Sequence, residues 1–160
     1  MKVLNAKFFI CYKSLIIFLI VLLTFGALSC SCKGSDVIKI PDDEFRYFLI
    51  ATVGNDFFIV RTSDSVIQSV ADSLLLLPLT DRNMMIVGPI DRGNEDYNYD
   101  WNWHFKTNAW HFAETAMELC DGSPEYVEEH LDEWLSTVGT YCPWGSRIKK
   151  ELFAGDVIQK

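Results

Sequence analysis

Between Tyr97 and Lys106 aromatic and polar residues alternate without a break. Tyr97, Tyr99, Trp101, Trp103 and Phe105 fall on one phase, and Asn98, Asp100, Asn102, His104 and Lys106 on the other. A period of two marks an extended strand, because successive side chains leave a strand on opposite faces, whereas a helix would scatter these rings around its circumference. The pattern therefore predicts a strand over 97–106 with one wholly aromatic face. Such a face is either the core side of a sheet covered by helices or a platform for stacking against sugar rings. A domain this small needs the former, so core is the first expectation and a glycan platform the second.

The rest of the chain reads as strands with two helices. Phe45–Val53 and Asp56–Arg61 are β-rich aromatic runs joined by Gly54-Asn55, a tight-hairpin signal. Ser63 or Asp64 is placed to cap a helix carrying Val66, Ile67, Val70, Ala71 and Leu74 on one side. A polar break over 79–83 precedes an apolar strand, Met84–Ile90, that Gly88-Pro89 should bend or end, followed by a loop over Asp91–Asp96.

Trp110–Cys120 fits two periods. Ala113, Met117 and Leu119 suit a helix, while Phe112, Glu114, Ala116, Glu118 and Cys120 would share a strand face. Strand is preferred, since Asp121-Gly122 ends the run with turn chemistry and not with a basic last turn. Ser123-Pro124 opens a helix, with Glu125, Glu128 and Glu129 early and Val127, Leu131, Trp134, Leu135 and Val138 as its apolar stripe before Gly139. Arg147–Phe153 is a last strand. The order β-β-α-β-β-β-α-β predicts a single α+β domain: a mainly antiparallel sheet with two helices packed on one side, stapled by one disulfide.

The N-terminus reads as an address. Met1–Lys13 holds Lys2, Lys7 and Lys13 and no acid, and Leu15–Leu28 is then almost uninterrupted hydrocarbon. That run is short of the roughly twenty residues a membrane span needs, so a cleaved leader is expected. Gly26-Ala27-Leu28-Ser29-Cys30 resembles a bacterial lipobox, in which a small residue precedes a cysteine that is cleaved and acylated. Ala27 and Ser29 also satisfy an ordinary signal peptidase, which leaves simple secretion as the alternative.

The expected organisation is a leader over 1–29, a lipid-anchored tether over 30–43 starting at Cys30, and a globular domain over 44–160. The expected place is the cell envelope outside the cytoplasm, with the membrane reached through the N-terminal lipid. The net charge is −8, and losing the three leader lysines takes it to −11. Nucleic acid is excluded as a partner, and an acidic domain near an anionic bilayer should face outward.

Cys120 and Cys142 are the cysteines of the globular part. In an exported domain they read first as a disulfide, worth roughly 3 kcal/mol for a loop of this length. A thiolate nucleophile served by His104, His111 or His130 is the competing reading. Those histidines with Glu114, Glu118 and Asp121 are zinc-ligand types without a compact motif, since His111-x-x-Glu114 lacks two imidazoles on one helical face. Glu125, Glu128, Glu129, Asp132 and Glu133 read as a solvated helix face without calcium-loop spacing. No metal, no cofactor and no catalytic residue is assigned.

Three pieces carry a family resemblance: Tyr97-Asn98 with Trp101-Asn102-Trp103-His104-Phe105, then 118–128 with His130-Leu131, then Cys142-Pro143-Trp144-Gly145-Ser146-Arg147. Together they resemble the N-terminal domain of slime-mould calmodulin-binding proteins, a family that also occurs as small secreted or lipid-anchored bacterial proteins. The resemblance spans about two thirds of the chain, with Lys106-Thr107-Asn108 where the family has an Asp-Pro turn. It implies a fold and an architecture and brings no reaction. A calmodulin target needs a basic amphipathic helix, which this domain lacks, so calmodulin binding is not carried over.

The function expected from these features is a non-catalytic, inhibitor-like or partner-binding module for an extracytoplasmic protein or glycan. Its recognition edge would be the loops over 91–100 and 143–147, and its candidate surface Trp101, Trp103, His104, Glu118, Asp121, Trp144 and Arg147. The alternatives are an exported hydrolase pairing Glu114 or Glu118 with His104, and a carbohydrate-binding module on the aromatic strand face.

Overall fold

Strands β1 (Arg46–Ala51) and β2 (Phe57–Thr62) form the predicted hairpin, in antiparallel register from Arg46↔Thr62 to Ala51↔Phe57. Asn55 makes the turn at φ 66°, a left-handed conformation that Asn tolerates better than most residues. The structure is a computed structural model that describes residues 40–156. The leader, Cys30 and most of the tether lie outside the described residues. Strand β7 (Arg147–Leu152) returns to the other side of β1, giving the order β2-β1-β7 with an irregularity between Leu49 and Ile50.

Helix α1 (Ser65–Leu75) starts where the Asp64 carboxylate accepts from the Val66 and Ile67 N–H groups. That cap supplies acceptors to donors the first turn leaves unpaired. Ile67, Ala71 and Leu74 are buried, and Val66 faces solvent. Arg46 of β1 ties the helix to β7 through Asp72 and Glu151, at 2.6 and 2.7 Å. These bonds, Glu151 foremost, hold the guanidinium pKa above its ordinary value.

The α+β class and the antiparallel pairing hold, but the strands divide into three small sheets. The predicted strand Met84–Ile90 is two strands, β3 (Met85–Val87) and β4 (Ile90–Arg92), separated at Gly88-Pro89. A Cβ at Gly88 would lie 2.6 Å from Trp110 Cβ, so only glycine permits that approach. Gly88 and Tyr141 exchange backbone hydrogen bonds of 3.1 and 2.8 Å across it. Strand β5 (Trp103–Phe105) pairs with β4, and β6 (His111–Ala113) with β3.

The strand expected over 97–106 is thus reduced to 103–105. Upstream, Glu95 and Asp96 take positive φ, and the Tyr97 and Asn98 N–H groups both turn back onto the Asn94 carbonyl. The alternation does not survive as burial: Tyr97, Asn98 and Trp103 to Phe105 are buried, whereas Tyr99, Asp100 and Asn102 are exposed. Trp103 and Phe105 enter the main core with Phe48, Phe58, Trp110, Trp134 and Tyr141. Tyr97 enters a second core with Tyr47, Leu49, Ile59, Ile40 and Leu152, and Tyr99 is exposed. Neighbouring residues of β1 therefore feed opposite layers, and the three-stranded sheet is covered on both faces, not on one.

In Trp110–Cys120 strand geometry ends at Ala113, because its pairing partner β3 begins at Met85, opposite it. A 3₁₀ turn (Glu118–Cys120) closes the run. The second predicted helix starts as expected, with Ser123 Oγ accepting the Tyr126 N–H and Pro124 in its first turn. It is segmented into α2 (Pro124–Glu129), α3 (Leu131–Glu133) and a π-helical turn (Trp134–Val138) that stops at Gly139, φ 72°. Val127, Leu131 and Trp134 form its buried stripe.

Both edges of the three-stranded sheet are closed by side chains. Along β2, Asn98 Oδ1 accepts the Ile59 N–H at 2.9 Å, and the indole N–H groups of Trp101 and Trp110 donate to the Phe57 and Arg61 carbonyls at 2.9 and 3.0 Å. Along β7, Arg82 donates to the Ile148 and Lys149 carbonyls, both at 2.8 Å, while its other N–H groups reach Leu75 and Leu77 at the end of α1. Open strand edges invite pairing with another chain, and these bonds remove that option.

Candidate functional site

Cys120 and Cys142 form a disulfide, with Cα atoms 5.1 Å apart. Both are buried, and a sulfur committed to a disulfide offers no thiolate, which ends the cysteine-nucleophile reading. The bond ties the 3₁₀ turn to the loop over 142–146. Asp121 Oδ1 reinforces it by accepting the Trp144 N–H at 2.8 Å and the Gly122 N–H at 2.9 Å. Tyr141 O–H donates to the Gly122 carbonyl at 3.0 Å, and burial pushes that phenol pKa up, so it stays a donor.

The tip of the β1–β2 hairpin packs against this loop. A Cβ at Gly145 would stand 2.6 Å from Val53 Cγ2, and Ala51 pairs with Arg147. Trp101 reaches the same end of β2 through Phe57. Its neighbour Asn102 is bonded to Glu128 of α2 through its backbone N–H at 2.8 Å and through its side chain. Trp144 is 41% exposed on a loop whose backbone is fixed on both sides.

Beside the disulfide lies an apolar cleft of about 500 Å³. Val87 of β3, His111 and Ala113 of β6, then Thr115, Ala116, Met117, Leu119 and Cys120, and Glu133, Thr137, Val138 and Thr140 line it. Met117 and Leu119 are 72% and 81% exposed. Every lining residue except Val87 comes from 107–146, a stretch with no Lys or Arg and with eight carboxylates: Glu114, Glu118, Asp121, Glu125, Glu128, Glu129, Asp132 and Glu133. Among the described residues Asp132, with Arg92, is the one of these in an ion pair.

The family model of the BP-74 N-terminal domain matches residues 44–154. The chain belongs to that family. No curated protein and no solved structure matches it. The matched span of this family's domain contains all three sequence pieces that carried the resemblance.

Within the family's domain the sequence-derived surface separates into two groups. Trp101, Asp121, Trp144 and Arg147 gather around the hairpin tip, and Glu118 is exposed in the 3₁₀ turn. Trp103 and His104 are corrected to interior positions. Trp103 is 0% exposed because it enters the main core, and His104, leaving β5 on the other side, is 7% exposed against the Tyr97 ring. His104 Nδ1 sits 2.7 Å from the Gly93 carbonyl, and Trp103 Nε1 has no hydrogen-bond partner among the described residues.

The expected recognition edge is spread along β2 and not gathered at one point. Glu95 pairs with Arg61, whose guanidinium lies over Tyr97, at one end of β2, whereas the 143–147 loop lies at the hairpin end. Nor are the proposed acid and base joined. No hydrogen bond or ion pair among the described residues links His104 to Glu114 or Glu118. Among the same residues no group of three or more His, Cys, Asp or Glu is placed to hold a metal ion. The cleft itself escaped sequence reasoning. Its one signal there, a long acidic stretch without a cation, reads equally as a solvated helix face.

Proposed function

We propose that this protein is a lipid-anchored envelope protein whose globular domain is a non-catalytic binding module. It engages an extracytoplasmic protein through the cleft beside the disulfide. The observation that carries the reading is that cleft: preformed, apolar and walled by a covalently stapled segment. Sites of this volume with a few polar groups on an apolar lining are where proteins take ligands. A pre-organised surface also loses little entropy on docking. The disulfide favours an oxidising compartment, in keeping with the leader and with acylation at Cys30.

Two experiments test this. Intact mass of the protein extracted from its own membranes should show a start at Cys30 with added acyl mass, and thiol label on Cys120 and Cys142 only after reduction. An uncleaved chain with free thiols defeats the localisation. A photo-crosslinking residue placed at Leu119 in intact cells should give one discrete adduct that Ala116→Trp, which fills the cleft, removes. Absence of any adduct defeats the binding reading.

A further inference from the structure

We infer that the occupant of the cleft is a cationic amphipathic segment of a partner protein, with apolar side chains in the cleft and Lys or Arg on its acidic rim. This inference rests on the reading of the cleft as the binding site. Glu133 lines the cleft, and Glu114 and Glu118 are exposed next to the lining residues Ala113, Met117 and Leu119. Thr115, Thr137 and Thr140 add hydroxyl acceptors. The stretch 107–146 has no Lys or Arg, and among the described residues none of these three carboxylates is in an ion pair, so an approaching cation is attracted to this rim.

A segment of protein fits better than a small molecule. Met117 and Leu119 project as an exposed apolar lip that a ligand confined to the cleft would leave in water. A second copy has few cations to offer, since Arg46, Arg61, Arg92, Lys106 and Lys150 are already in ion pairs and Arg82 is spent on four carbonyls, which leaves Arg147 and Lys149 of β7 among the described residues. Two copies meeting at this face would set acid against acid.

The test uses the disulfide-bonded protein and short fluorescein-labelled amphipathic peptides, one of leucine and lysine and one of leucine and glutamate, followed by anisotropy. The leucine–lysine peptide should bind one to one, weaken severalfold as salt rises from ~50 to ~500 mM, and weaken roughly tenfold with Leu119→Ser or Met117→Ser. Both side chains are exposed, so neither change threatens the fold, and near-ultraviolet circular dichroism verifies this. Glu133→Gln should cost a few-fold. Equal binding of the two peptides, or an affinity unmoved by both serine substitutions, overturns the inference. So does a concentration-dependent dimer that Leu119→Ser abolishes, which would make a second copy the occupant. If the peptides fail while the Leu119 crosslink forms in cells, this inference falls and the binding reading stands; if both fail, both fall.

Discussion

Arg82 and Asn98 close the two edges of the three-stranded sheet, whereas no described part of the chain covers the lip formed by Met117 and Leu119. On the sheet side, outward-facing backbone groups meet side chains delivered from distant positions, and Arg46 and Arg61 are each paired with acids. On the 107–146 side, a covalent bond replaces much of that internal matching. The disulfide holds the segment in shape, which leaves Met117 and Leu119 exposed and Glu114, Glu118 and Glu133 outside the ion pairs of the described residues. The difference teaches where to look for function: one region satisfies itself, and the other is stable without doing so.

Alkaline pH gives the largest expected break in that comparison, because it attacks the buried phenols of both regions. Burial, with a hydrogen bond to Asp43, pushes Tyr47 up to about 12, and burial also raises Tyr97 and Tyr141. A folded pKa above the unfolded value of about 10 means that this stabilisation is full below that value and lost as pH rises through the folded one. Tyrosinate absorbance should therefore appear for these three only together with loss of the circular dichroism of the fold. Their ionisation within an intact fold would contradict it.

Removing the disulfide by Cys120→Ser with Cys142→Ser should cost about 3 kcal/mol in urea unfolding and loosen hydrogen exchange across 107–146 before the sheet. Uniform loosening would show that the two regions are one cooperative unit. Next, Arg82→Ala should cost about 2 kcal/mol, since one cation serves four carbonyls on two elements, and Arg82→Lys should recover only part of it. Trp101→Phe keeps the ring but deletes the bond to Phe57, for a loss of about 1 kcal/mol. Smallest of all, Trp144→Ala should lower stability by less than about 1 kcal/mol while weakening the partner contact. A large destabilisation would place Trp144 with the self-satisfied region.

Legibility in the sequence followed the range of the interaction. The Gly54-Asn55 turn, the Asp64 and Ser123 caps and the Gly139 stop are decided within a few residues, so each stands where it was expected. The alternation at Tyr97–Phe105 misled because a strand needs a pairing partner, which only Trp103–Phe105 has; upstream the chain turns at Asn94, and burial follows tertiary contact, with Tyr97 and Asn98 inside and Tyr99 and Asp100 outside. Asn98, polar in sequence, is buried at 2%, held by Ile59 and the Trp103 carbonyl. Trp103 and His104 looked like surface candidates because no local signal announces that β4 and β5 lie against a second layer.

The sequence by itself determined the α+β class, the hairpin, the helix starts, the cysteine pair and the acidity of 107–146, since each follows from local backbone preference, side-chain chemistry or charge. Tertiary structure alone decided the rest. It placed β7 beside β1, sent Tyr97 and Trp103 to different cores, assigned Arg82 and Trp101 to strand edges, and opened the cleft beside the disulfide. Those outcomes depend on which distant surfaces meet, and burial and hydrogen-bond satisfaction select among such meetings only once the whole chain has closed.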